Sequence, residues 1–324
     1  MNPLLILAML LIAQGRTDRE MPRIYVHEWG VMTYGECRLE LAATPPTFSP
    51  SAVRAPVVYF HGPEFTGTFS VRVPGGYLTD TYPVPDSGGS GLAVWTGLRG
   101  SYDLRDEHTR RAIRDVPGEF EEYLASWRQS GSLLLSRGND FLDKFLYYEC
   151  VLEDSLLSPD RWIVPVQYVD GELLLKPLVP GVSEDGEVLV LMRDGEGCRY
   201  LRCPQSRLER RIVPDDLLPY DTEDVVRVLL DWNHEDLDLE EIVALWKTWE
   251  DFLTGTVGSR DMPPPRFAVI ARMDPEKLDE LCSLELTPER DYTVEYHRFI
   301  LSVLLLDELS AARRTTPDEF DDLR

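Results

Sequence analysis

Positive charge is scarce in this sequence: 33 Lys and Arg stand against 57 Asp and Glu, a formal net charge of −24. Binding to phosphate backbones or anionic lipid surfaces needs Lys and Arg to displace counterions, so no nucleic-acid partner is expected. The acid excess reads as a solvated surface. Cysteine is scarce too. There are five, Cys37, Cys150, Cys198, Cys203 and Cys282, and an odd number leaves at least one thiol free. A chain of 324 residues has no need of disulfide staples. Cys198 and Cys203 are spaced to pair across a tight hairpin, but they lack the second pair that makes such spacing specific for zinc. No apolar run reaches the roughly 20 residues that span a bilayer, so no transmembrane anchor is expected in the mature chain.

The common chemical signatures are missing as well. Nothing matches a phosphate loop, a dinucleotide fingerprint or a helical H-E-x-x-H pair. Asp86-Ser87-Gly88-Gly89-Ser90-Gly91 looks superficially like the nucleophile loop of a chymotrypsin-like protease. That serine comes late in a two-barrel chain, whereas here too little sequence precedes it. Leu92 stands where a G-x-S-x-G elbow needs its last glycine. Asp231-Trp232-Asn233-His234-Glu235-Asp236 begins like a calcium loop, yet Asp236 replaces the required glycine and Ile242 the final Glu. A turn and a helix linker account for these two segments.

What is present is a normal core. Hydrophobic residues make up 43% and aromatics 10%, which excludes global disorder. Leu4 to Ile12 is an apolar run followed by Ala13-Gln14-Gly15, the pattern of a signal peptide over residues 1–15 cut before Arg16. An extracytoplasmic protein, periplasmic or secreted, is therefore expected. The run lacks a preceding Lys or Arg, and translation from Met21 would leave the chain cytoplasmic.

Residues 16–215 read as β-rich. Ile24 to Tyr34 is apolar on both faces, as in a central, doubly covered strand. Val57 to His61 is a short apolar run, and Thr68 to Val73 alternates cleanly. A helical insertion is expected at about 104–135, where Phe120, Tyr123, Leu124 and Trp127 share a helix face. Residues 216–312 form a helical and α/β part on the same body. Thr222 is placed to cap one helix. Asp238 and Glu241 make a capping box for another, closed by Gly255. Residues 313–324 read as a frayed tail. The expected class is α+β, mainly antiparallel and sandwich-like, with two helical segments packed on it.

His27-Glu28-Trp29-Gly30 after a signal peptide resembles an uncharacterised family of exported bacterial proteins, whose mature chains open with a His-Glu-Trp-Gly-Thr-Phe-Thr-like segment. Pro56 to Phe60, Pro74 to Pro83, Lys144 to Tyr148 and Thr248-Trp249 are similar too, while Val31-Met32 departs from that pattern. The resemblance implies export and no particular activity.

His27, Glu28, Trp29, Tyr59 and His61 form the candidate functional cluster, with Lys144 and Tyr148 as a secondary polar–aromatic group. Neighbours on a strand face opposite sides, so His27 and Glu28 are not expected to share a metal. If the strands of His27 and His61 are adjacent, both imidazoles can meet beside a carboxylate from elsewhere. Such a group can hold zinc and lower the pKa of bound water. Nitrogens more than about 8 Å apart exclude one shared ion. Two functions follow as expectations. The leading one is a non-catalytic extracytoplasmic binding or structural module with a protein or carbohydrate partner. The other is a metal-dependent hydrolase using His27 and His61.

Overall fold

The computed structural model describes residues 21–35, 38–42, 56–102, 121–138, 141–152, 164, 166–169, 172–176, 187–195, 197–204, 211–234, 236–255 and 266–306. The expected signal peptide, Cys37, residues 104–120 of the helical insertion and the 313–324 tail lie outside them.

The order starts with β1 (Arg23–Gly35), β2 (Arg38–Ala42), β3 (Val57–His61), β4 (Phe65–Arg72), β5 (Gly76–Tyr82), β6 (Ser87–Gly89) and β7 (Leu92–Ser101). Helix α1 (Glu121–Trp127) precedes β8 (Leu134–Arg137), β9 (Phe141–Asp143) and β10 (Leu146–Leu152). Next come β11 (Val166–Val169), β12 (Glu172–Leu175), β13 (Glu187–Asp194), β14 (Gly197–Pro204), β15 (Arg211–Ile212) and β16 (Leu218–Pro219). Helices α2 (Thr222–Asn233) and α3 (Leu239–Thr254) lead into β17 (Phe267–Arg272), β18 (Ser283–Pro288) and β19 (Thr293–Leu306).

The class is α+β and mainly antiparallel, as expected. A ten-stranded sheet runs β16-β14-β13-β17-β19-β1-β2-β10-β3, with β5 on β10 and a second pairing of β1 with β3. A six-stranded sheet runs β18-β4-β7-β8-β9, with β6 on β7. Among the described residues one ladder is parallel, that of β1 with β19. Strand alternation carries no information about direction, so this pair is invisible in the sequence.

β1 is covered on both faces, as its composition predicts. Ile24, Val26 and Met32 enter a core shared with Phe69, Trp95 and Leu286 of the six-stranded sheet. Trp29 and Val31 enter a second core built with Trp127, Trp246 and Trp249 of the helices. The large sheet thus lies between a β layer and a helical layer.

The helix caps are local chemistry. Asp238 and Gly255 bound α3, and Gly255 takes a left-handed φ of 74°. At α2 the cap is Asp221 rather than Thr222: its carboxylate accepts from the amides of Glu223 and Asp224. The buried face of α3 carries Ile242, Trp246, Trp249, Phe252 and Leu253. Leu239 faces outward at 54% exposure, while Glu241 is fully buried. Residues 275–280 form a 3-10 turn. Cys198 and Cys203 do not bridge. They are five positions apart on one strand, β14, so they face opposite sides and are not joined to each other.

Candidate metal centre

The pairing of β1 with β3 sets His27 opposite Tyr59 and Tyr25 opposite His61. His27 and His61 are therefore diagonal neighbours on the helix-facing side, and their rings lie 4.2 Å apart, centroid to centroid. Gly62 ends β3 at once, with φ of 101°; a Cβ there would come within 2.4 Å of the Arg23 carbonyl oxygen.

The carboxylate between the imidazoles is Glu241, from the first turn of α3. His27 Nδ1 lies 2.9 Å from Glu241 Oε2, and His61 Nε2 lies 2.8 Å from Oε1. The Asp238 amide donates to Oε2 at 3.2 Å, and the Ser130 hydroxyl donates to Oε1 at 2.8 Å. Burial by itself would raise the Glu241 pKa, but the hydrogen bonds to His27 and His61 outweigh it and bring the value down to about 2. One ligand atom from each of His27, His61 and Glu241 lies within 4.8 Å of the other two.

The cluster is buried at Glu241 and more exposed toward Asp238. Tyr59, buried beside His27, donates its hydroxyl to the Trp127 carbonyl. Burial pushes its pKa well up, and the nearby Glu241 charge adds to the shift. At the rim, Asp238 Oδ2 stands 3.7 Å from His61 Nδ1. A third imidazole, His297, is paired with His27 across the parallel ladder, with rings 5.3 Å apart. Its Nδ1 lies 3.6 Å from Asp236, which also accepts from Arg272. The Asp236 hydrogen bond raises the His297 pKa against the opposing effect of burial.

The other predicted residues divide by face. Glu28 points away from His27, as expected for strand neighbours. It is fully buried in an ion pair with Arg298 and accepts a hydrogen bond from Tyr148. Tyr148 also contacts Cys282 Sγ at 3.1 Å. Trp29 belongs to the helix-side core. Gly30 gives Pro56 room, since a Cβ there would sit 3.1 Å from the proline ring. The four residues His27 to Gly30 thus serve four different environments. Lys144 joins the site indirectly: its Nζ donates to the Ser130 carbonyl at 2.6 Å. Burial lowers its pKa, with Asp143 opposing.

Sequence reasoning missed Glu241, Ser130 and His297 as members of this group. Glu241 alone left a trace: an acidic residue four positions before Leu245 falls on the face that α3 buries.

No protein-family model matches the chain, and no curated protein matches it. Among solved structures, it is similar to the Fcho1 Mu homology domain of Danio rerio with bound Eps15 peptide. The identity is 10%, the TM-score 0.32, and the match covers 88% of this chain and 94% of that one. The fold and site define an α+β protein with a buried His–Glu–His cluster between sheet and helix. Among the described residues no helix is long and apolar enough to cross a membrane.

Proposed function

We propose that this chain holds one divalent transition-metal ion, zinc by the chemistry of its donors, on His27, His61 and Glu241, and uses it in hydrolysis. The observation that carries this reading is the convergence of three ligand atoms, from β1, β3 and α3, within 4.8 Å. Two imidazoles and one carboxylate are the donor set of zinc sites that keep a fourth position for water. Zinc in such a site lowers the pKa of its water to about 7, which supplies hydroxide at neutral pH. Ligands on a tetrahedral zinc stand about 3.3 Å apart at bond lengths near 2.0–2.2 Å. The nitrogens already lie 2.8 and 2.9 Å from the carboxylate oxygens, so accommodation needs only a small side-chain movement. Export through residues 1–15 belongs to this reading, and N-terminal sequencing of the cell-fractionated protein tests it. A cytosolic product with an intact Met1 or Met21 end would overturn it.

One observation favours a second reading. The Glu241 oxygens already have four polar partners, two on each, so the cluster is satisfied as a clamp between α3 and the sheet. In that case the protein is a non-catalytic binding or structural module with a protein or carbohydrate partner. Elemental analysis of the purified protein beside His27→Ala separates the two. Near-stoichiometric zinc that is lost in the variant supports the metal reading. A folded wild-type protein that is metal-free and takes up none on incubation with zinc supports the clamp.

A further inference from the structure

We infer that Ser130 is a positioning residue that sets the orientation of the Glu241 carboxylate for metal binding; this rests on the metal reading above. In the structure each carboxylate oxygen has one imidazole and one other donor. Oε2 has His27 and the Asp238 amide; Oε1 has His61 and the Ser130 hydroxyl. An imidazole nitrogen that binds a metal gives its lone pair to the ion and carries no proton to donate. A metal held through His27 Nδ1 and His61 Nε2 would remove both imidazole contacts and leave Glu241 one donor on each oxygen. The Asp238 amide belongs to the helix start and moves with Glu241. The Ser130 hydroxyl comes from the segment between α1 and β8, so it alone ties the carboxylate to a different element.

That hydroxyl is itself held. Ser130 is 1% exposed, and its Oγ accepts from the Ser132 amide at 3.1 Å, which directs its own proton toward Glu241. The Ser130 carbonyl accepts from Lys144 Nζ at 2.6 Å. A chain of contacts thus runs from Lys144 through Ser130 to Glu241. Groups that orient a ligating carboxylate typically change metal affinity by about 10–100-fold when removed.

The test is titration of Co(II), followed by its d–d absorption, and of Zn(II) by competition, into wild type, Ser130→Ala and Ser130→Thr. The expected result is a 10–100-fold weaker affinity in Ser130→Ala, with the Co(II) spectrum altered, and recovery in Ser130→Thr, which keeps the hydroxyl. Wild-type affinity and spectrum in a folded Ser130→Ala would overturn the inference and leave the metal site standing. A wild-type protein that binds neither ion overturns the metal reading and this inference with it. Should Ser130→Ala not fold, Ser130→Gly, which also removes the hydroxyl, replaces it. A weaker affinity then supports the inference, and an unchanged one sinks it.

Discussion

His27 and Glu241 are separated by 214 positions, yet Nδ1 of one lies 2.9 Å from Oε2 of the other. This contact fastens the first turn of α3 to the central strand of the large sheet. The same carboxylate also receives the amide of its own N-cap residue. A residue that sequence assigns to helix capping is thereby the meeting point of two strands and a helix.

The metal reading makes a linkage prediction. A ligand that binds only the folded state adds about 2.7 kcal/mol of stability at a free concentration 100-fold above its Kd. Zinc is therefore expected to raise the unfolding temperature of the wild type by several degrees, and chelator to reverse the rise. In Glu241→Gln the zinc-dependent increment should vanish. Equal increments in both proteins, by differential scanning calorimetry, would count against Glu241 as a ligand.

On the opposite face of β1, Glu28 and Arg298 form a buried ion pair, and Tyr148 adds a hydrogen bond to Glu28. Removing Glu28 takes away the buried counter-charge of Arg298 and leaves it the largely exposed Asp279 at 2.9 Å. Glu28→Ala is expected to cost about 3–5 kcal/mol in denaturant-induced unfolding. Tyr148→Phe should cost less, about 1–3 kcal/mol. The double variant Glu28→Met/Arg298→Met should be more stable than Glu28→Ala, because no lone charge remains. Glu28→Ala at wild-type stability would show that the pair is not buried in solution.

Helix α1 is tied to α3 through Trp127, whose Nε1 donates to Thr248 Oγ1 at 3.0 Å. Thr248→Val keeps the shape and removes that acceptor from a buried donor. The expected loss is about 1–3 kcal/mol. Thr248→Ser keeps the hydroxyl and should recover much of it. If urea midpoints for the Val and Ser variants coincide, the hydrogen bond carries none of the effect.

The thiols give a prediction in pH. Burial pushes Cys282 up to about 12, with the Glu28 charge adding to the shift. Cys198, only partly buried, is pushed up to about 11, again chiefly by burial. The thiolate is the reactive form, so both should be nearly inert to alkylation at pH 8 in the folded protein. Reactivity at Cys198 should rise as pH approaches 11, whereas Cys282 should be labelled only on unfolding. Peptide mapping after timed iodoacetamide exposure checks this, and fast native labelling of Cys282 would contradict its burial.

The division of information follows from range. Alternation and composition were enough to read β1 as a doubly covered strand, and Asp238, Glu241 and Gly255 to bound α3, because pleat, cap and left-handed turn are decided within a few residues. The same rule placed His27 and Glu28 on opposite faces, which the structure bears out. Even the adjacency needed to bring His27 to His61 could be stated only as a condition, since it depends on register between separate strands. Three matters were beyond local reasoning. The parallel direction of β19 brings His297 beside His27. The docking of α3 on the sheet buries Glu241 and leaves Leu239 outward. The segment after α1 sets Ser130 against the carboxylate. Each depends on how whole elements pack, and a side chain's long-range neighbours are settled only when the layers close on one another.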